Sequence, residues 1–248
     1  LGRDYHKVLR SKLKKLANSL QAHVGSLGYR VFTDSAPVLE RALARNSGLG
    51  WIGKNTNLIS KKDGSMFFLG EIFTDIPLEP SKVAPKNHCG TCKECIDVCP
   101  TKAIIAPYQL DANRCISYLT IESKKSIPIE FRKSIGNRIF GCDDCQLFCP
   151  WNKYAKLTAV TDFAPRHGLE KTKLTDLFLL DEDEFEKFTI GSAIRRVSYP
   201  QWIRNVAIAL GNAPTSPEVL QALEKRLTFP DEMVLEHVNW AILEHKKN

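Results

Sequence analysis

All eight cysteines of this chain lie between residues 89 and 149, in two runs of fixed spacing with one cysteine between them. The first run is Cys89-x-x-Cys92-x-x-Cys95-x-x-x-Cys99-Pro100. The second is Cys142-x-x-Cys145-x-x-x-Cys149-Pro150, and Cys115 stands between the two. Tight C-x-x-C turns place three sulfurs around three corners of one 4Fe–4S cubane. A cysteine carried after a three-residue gap, ahead of a proline, is directed to the neighbouring cubane. The spacing therefore predicts Cys89, Cys92, Cys95 and Cys149 around one cluster, and Cys142, Cys145 and Cys99 around another. A chain built this way is a low-potential electron carrier.

The second cluster still lacks a fourth thiolate. Ferredoxins with two clusters take it from a second C-x-x-C-x-x-C run, but position 139 here is Ile139, which leaves Cys115. Zinc is the rival metal, because paired C-x-x-C turns also build tetrahedral four-cysteine sites. The three-residue gap before proline, present twice, favours iron–sulfur. A disulfide framework belongs to small secreted domains and does not suit this chain.

A length of 248 residues allows a substantial core and two or three modules. The formal charge is +7 with the thiols counted as neutral. Two thiolate-bound cubanes at about −2 each would bring it to about +3 and leave the rest of the chain more basic than the average. Such basicity fits a polyanion such as nucleic acid, and equally an ordinary basic surface. No stretch approaches the roughly 20 apolar residues of a membrane span, and no apolar leader opens the chain. We expect a cytoplasmic protein without membrane contact. The first methionine is Met66, and Leu1-Gly2-Arg3-Asp4-Tyr5-His6 reads as the interior of a longer protein.

Tyr5, Val8, Leu9, Leu13, Leu16, Leu20 and Val24 recur at helical spacing and predict an amphipathic helix. A short strand at 29–32 should lead into a helix opening at Pro37, capped by Asp34 or Ser35 and stopped by Gly48 or Gly50. Strands at 57–60 and 66–74 should pair across Lys61-Lys62-Asp63-Gly64. Pro77, Pro80 and Pro85 mark a linker. After Pro150 cysteine disappears, and helices are predicted over 199–212, 217–227 and 231–244. Their Arg-Asn-x-Ala-Ile-Ala-Leu-Gly-Asn core resembles a HEAT-type repeat, with a generic helical bundle as the alternative.

Two segments outside the cysteines could carry chemistry. Asp34, in a strand-to-helix turn, is either a tuned acid or an ordinary helix cap. In Gly48-Leu49-Gly50-Trp51-Ile52-Gly53-Lys54-Asn55-Thr56-Asn57, the glycines would let the backbone approach a flat ligand whose amides Lys54, Asn55 and Asn57 could bind. It fits neither the P-loop nor the dinucleotide fingerprint.

Taken together, Phe32-Thr33-Asp34-Ser35-Ala36-Pro37, the Gly48–Asn55 segment, the cysteine pattern, Cys115-Ile116-Ser117-Tyr118-Leu119-Thr120-Ile121-Glu122 and Phe140-Gly141-Cys142-Asp143-Asp144-Cys145-Gln146 resemble the epoxyqueuosine reductases. The resemblance runs across nearly the whole chain. It implies an α+β protein: the C-terminal part of an α/β cobalamin-binding domain (1–85), a two-cluster ferredoxin-like module (86–155) and an all-α HEAT-like tail (156–248). It also implies two 4Fe–4S clusters, base-off cobalamin, and reduction of epoxyqueuosine to queuosine at the wobble position of tRNA. Asp34 matches the family's proton donor. Asp34, Lys54, Asn55, Leu58, Leu69, Ser117, Cys142 and Asp143 are the implied cobalamin contacts, Leu58 and Leu69 being equally readable as core. Family members carry roughly a hundred further residues at the N-terminus.

The implied partners are tRNA with a GUN anticodon, held at its anticodon stem–loop, and an external low-potential electron donor, with the protein a monomer. Arg195, Arg196 and Arg204 are the candidate phosphate contacts, followed by Lys225 and Arg226. Trp202 is expected in the core. Two other functions remain open from sequence. One is a corrinoid reductase of dehalogenase type, which would not need the basic tail. The other is a non-catalytic electron-transfer ferredoxin, which would not need the first 85 residues.

Overall fold

The computed structural model describes residues 2–81 and 85–247. Helix α1 (Tyr5–Val24) opens at Asp4, whose side chain accepts the His6 backbone N–H at 3.0 Å, and ends at Gly25 with φ 86°. Then come β1 (Tyr29–Phe32), α2 (Glu40–Asn46), β2 (Trp51–Ile52), β3 (Leu58–Ile59) and β4 (Glu71–Thr74). The expected hairpin between 57–60 and 66–74 does not form. β4 instead pairs antiparallel with β1, Tyr29 opposite Thr74, and β3 pairs with β2, Trp51 opposite Ile59. The Lys61–Gly64 turn closes a single bridge, Ser60 to Gly64. Local turn chemistry was outweighed by a partner strand some forty residues away.

Helix α2 starts at Glu40, three residues later than Pro37 suggested, and has no side-chain cap. Asp34 and Ser35 therefore lie in a loop ahead of it. The stretch between Pro80 and Pro85, expected as linker, includes residues 82–84, which lie outside the described residues.

In the cysteine region each C-x-x-C run leads into a one-turn helix, α3 (Glu94–Asp97) and later α5 (Asp144–Leu147), and these two pack together. Between them lie the ribbon β5 (Ile104–Ala106) and β6 (Gln109–Leu110), a π-helical turn at Tyr118–Glu122, and α4 (Ile129–Ile135). The remaining helices are α6 (Leu174–Leu179), α7 (Glu182–Thr189), α8 (Tyr199–Gly211), α9 (Pro217–Glu224) and α10 (Glu232–His245). Ser198 and Gln201 form a capping box that starts α8.

The main core does not stop at residue 155. Ile116, Leu119, Ile127 and Ile135 join Phe178, Trp202, Ile203, Val206, Leu210, Leu223, Val238 and Trp240 in one buried cluster. The polar positions of the repeat-like motif serve this junction. Asn205 Nδ2 donates to the carbonyls of Thr120 (2.7 Å) and Ile139 (3.0 Å), and Asn212 Nδ2 to that of Arg132 (2.8 Å). His237 accepts the Ile127 N–H at 3.1 Å. The helical tail is thus stitched to the residues that follow Cys115.

Candidate functional site

The eight thiols divide between two cavities. Cys89, Cys92, Cys95 and Cys149 line one of about 270 Å³, together with Lys54, His88 and Trp151. Cys99, Cys115, Cys142 and Cys145 line a second of about 40 Å³. The grouping expected from spacing, including Cys115, is the one the fold produces. Its cause is the packing of α3 on α5: the last cysteine of each run, Cys99 or Cys149, two residues past its one-turn helix, is carried across to the other run.

These donor sets suit metal. Burial, and then the neighbouring thiols Cys149, Cys89 and Cys92, push Cys95 up to about 11. Burial and then Cys142, Cys115, Cys95 and Cys99 push Cys145 up to about 12. Four thiolates crowded in a low-dielectric space repel one another, and a cationic iron core relieves that repulsion.

The glycine-rich segment has a different role from the one expected. Residues 53–57 form the turn of the β2–β3 hairpin, with Thr56 at φ 65° and Gly53 N–H donating to Asn57 O at 2.8 Å. A Cβ on Gly50 would stand 2.1 Å from the Ile59 carbonyl oxygen, so this glycine admits its own partner strand rather than a ligand. Lys54 Nζ donates to the carbonyls of Gly90 (2.6 Å) and Cys92 (2.8 Å), and Asn55 Nδ2 to that of Cys145 (3.0 Å). Both side chains are directed at the cysteine loops. Leu58 is buried beneath the hairpin, and Leu69 is half-buried.

Asp34 is not a helix cap. Its backbone is left-handed, φ 55°, and its N–H donates to Glu40 Oε1 at 2.5 Å. The Thr33 hydroxyl ties the same loop to the Leu69 carbonyl at 2.8 Å. The carboxyl is about half exposed, accepts the Tyr5 hydroxyl, and has His6 Nε2 at 3.5 Å from its Oδ2. His6 Nδ1 is held by Asp4 Oδ1 at 2.8 Å, and Tyr5 stacks on Phe68 with centroids 4.5 Å apart. Burial, and then the bond to Asp34, holds the Tyr5 phenol above its usual range, so it remains a proton donor. Tyr5 and His6 escaped the sequence reading because only the tertiary fold sets the start of α1 against this loop.

Arg196 lies near the same carboxyl. It bonds Glu122, the last residue of the π-helical turn, at 2.6 Å, and that bond, then Asp34 and Tyr5, raises its affinity for its proton. Arg196 thus lies electrostatically near Asp34 and is bonded through Glu122 to the turn that follows Cys115 and the half-buried Ser117. Such π turns are rare and frequently lie at functional sites. Cys142 and Asp143 sit at the start of α5, on the second cysteine set.

For the candidate nucleic-acid contacts the outcome is mixed. Arg195 is exposed and paired with Glu186 at 3.0 Å. Arg204 does not belong to a positive surface. It is fully buried, and its guanidinium donates to the carbonyls of Leu119 (2.8 Å), Ser123 (2.9 Å) and Lys125 (2.6 Å). Arg226 likewise turns inward, to the Phe178 and Leu180 carbonyls. Trp202 is buried as expected, its Nε1 donating to Leu177 O at 3.1 Å.

Residues 88–152 match a family model described as a 4Fe-4S double cluster binding domain, and residues 1–35 one described as Epoxyqueuosine reductase QueG, DUF1730. The chain is 56% identical over 245 residues to an epoxyqueuosine reductase of Pseudomonas aeruginosa, covering 99% of this chain and 68% of that one. It is 60% identical to an epoxyqueuosine reductase of Xanthomonas campestris, covering 99% and 69%. A crystal structure of epoxyqueuosine reductase with an epoxyqueuosine-modified tRNA-Tyr stem loop superposes with a TM-score of 0.82 at 31% identity, over 99% of this chain and 73% of that one.

Proposed function

The chain belongs to the epoxyqueuosine reductase family of oxidoreductases, and we propose that it reduces epoxyqueuosine to queuosine at the wobble position of tRNA, using cobalamin and two 4Fe–4S clusters. In this reading residues 1–85 are the reductase part, 86–155 the cluster module and 156–248 a HEAT-like tail. The protein works as a cytoplasmic monomer on the anticodon stem–loop of tRNA with a GUN anticodon, and Arg195 and Arg196 meet the phosphates. No helix among the described residues is long and apolar enough to cross a membrane.

One observation carries the reading: Asp34 presents a half-exposed carboxyl in a strained left-handed loop fixed by Tyr5, Glu40 and Thr33. Strain of this kind is retained at functional sites. A plain electron carrier has no use for it. The implied contacts also suit a broad ring fringed with amides. Ser117 and Asp143 carry polar side chains close in sequence to Cys115 and Cys142 of the second set, and the Leu69 carbonyl is tied to the Asp34 loop through Thr33. Held by these residues, cobalamin would supply a reduced cobalt nucleophile for the epoxide carbon, with electrons drawn from an external low-potential donor through the clusters.

Removing the epoxide oxygen takes two electrons and two protons and releases it as water, and what the chain itself contributes at Asp34 is the first of those protons. Asp34 delivers it to the epoxide oxygen as the ring opens, which is general acid catalysis. The Tyr5 hydroxyl then stabilises the carboxylate that remains. His6, oriented by Asp4, stands next to it. The test is queuosine formation on tRNA carrying epoxyqueuosine, with protein loaded anaerobically with iron, sulfide and cobalamin. Asp34→Asn should lower turnover at least about a hundredfold, the scale of a lost general acid, while cluster absorbance stays intact. Undiminished turnover removes Asp34 from this role. Cobalamin binding without queuosine formation by the unsubstituted protein would favour a small-molecule substrate.

A further inference from the structure

The turn between β2 and β3 touches both cysteine sets. Trp51 Nε1 donates to Cys89 Sγ at 3.5 Å, and Lys54 Nζ holds the Gly90 and Cys92 carbonyls of the same loop. Three residues further on, Asn57 Nδ2 points at Cys145 Sγ from 3.9 Å, and Asn55 holds the Cys145 carbonyl. Hydrogen bonds to the sulfurs and fixed charge nearby are among the means by which a protein tunes a cluster's potential.

The two sets are not treated alike. Lys54 is 9% exposed, and lysine is almost never buried so deeply without a paired charge. Here its hydrogen-bond partners are two carbonyls, so its ammonium group stands in the wall of the first cavity, which the exposed Glu94 and Lys153 also line. On the second set the cation facing Cys142 is Arg138, and Asp144 neutralises it at 2.6 Å. The shorter of the turn's two side-chain contacts to sulfur, that of Trp51, also falls on the first set. A cubane held by four thiolates is already anionic and becomes more so on reduction. A buried positive charge in low dielectric favours that added electron.

We propose that the Trp51–Asn57 turn is an outer shell shared by both clusters, in which Lys54 and Trp51 set the first cluster, at Cys89, Cys92, Cys95 and Cys149, at a higher reduction potential than the second. The first cluster is then the one that fills first and holds the electron arriving from the donor. Lys54 and Trp51 are positioning residues, acting on the clusters through charge and hydrogen bonding. The inference rests on the reading that each cysteine set holds a cubane.

The test is a redox titration followed by electron paramagnetic resonance, on anaerobically reconstituted holoprotein, with Cys115→Ser used to identify the second cluster's signal. Lys54→Met should lower the reduced-to-oxidised ratio of the first cluster about tenfold at a fixed potential, equivalent to about 59 mV for one electron. Lys54→Arg should restore it, and Trp51→Phe should lower it by less. The second cluster should stay in place in all three. If Lys54→Met fails to load with iron, Trp51→Phe decides alone. Unmoved potentials, or a shift that falls equally on both clusters, would overturn the inference. Iron and sulfide well short of about eight each in the unsubstituted protein would instead refute the two-cubane reading beneath it.

Discussion

Helices α1 and α8 carry the same sequence signature, an apolar stripe at helical spacing, and meet opposite fates. Twelve of the thirteen residues of α8 are buried, its polar Gln201, Arg204 and Asn205 included. In α1 only Val8 and Ala17 of twenty are buried, while Leu16, Leu20 and Val24 stay 53%, 41% and 52% exposed. Periodicity says that a helix forms and which face is apolar. Whether that face is covered depends on elements far away in sequence. α8 is covered on several sides, by α6, α9, α10 and the segment after Cys115, whereas α1 packs on the two-stranded β1–β4 ribbon and meets the Asp34 loop and Phe68 at its first turns.

The sharpest way to break this comparison is to empty the polar centre of α8. Arg204 is fully buried, and burial lowers its pKa to about 10, which leaves it charged at neutral pH. Arg204→Met keeps much of the volume but takes the Arg204 donor from the Leu119 and Lys125 carbonyls, while the Ser123 carbonyl keeps Gln201 Nε2 at 3.0 Å. At roughly 1–3 kcal/mol for each buried group left unpaired, the expected loss is about 3 kcal/mol or more. Urea unfolding followed by circular dichroism measures it. A loss below about 1 kcal/mol would mean that water reaches these carbonyls and that α8 is not sealed.

Next in size is a pH effect at the same junction. His237 is buried and accepts the Ile127 N–H on Nε2 while its Nδ1–H donates to Met233 O. Burial, and then Arg132, lower its pKa from 6.5 to about 4. The folded value lies below the unfolded one, so the unfolded chain takes up the proton first. Stability is complete above pH 6.5 and drains away as pH falls towards 4, by about 3 kcal/mol at roughly 1.4 kcal/mol per unit. The unfolding midpoint should follow that slope in the unsubstituted protein. His237→Gln, which can still accept from Ile127, should flatten the slope over this window. An unchanged slope would place the acid sensitivity elsewhere.

What could be read from the chain follows from how local the determinants are. The two cysteine sets were legible because each is fixed by spacing within a few residues and by one crossover. The bounds of α1 and β1, and the start of α8, were legible from their periodicity and caps. The partner of β4 was not, because Lys61–Gly64 is an adequate hairpin turn and only the β1 edge outbids it. Arg204 was misread because a long cation in a sequence gives no sign of whether its charge faces water or a row of carbonyls. The proposed acid site was half legible. Asp34 stood out in its motif, but Tyr5, His6 and the approach of Arg196 are products of the tertiary fold.

The smallest effect belongs to α1, and it separates two accounts of that helix. Leu16 keeps half of its side-chain surface exposed, so replacing it with glutamine removes little buried apolar area. Glutamine is also about as good a helix former as leucine. Leu16→Gln should therefore stay within about 0.5 kcal/mol, the range of ordinary surface changes, and Leu20→Gln should behave alike. The matched change in α8, Ile203→Gln, buries an unpaired amide where nothing is exposed and should cost several times more, about 3 kcal/mol. If Leu16→Gln instead costs as much as Ile203→Gln in the same unfolding experiment, the apolar stripe of α1 is covered in solution, and the contrast between the two helices is one of partner rather than of burial.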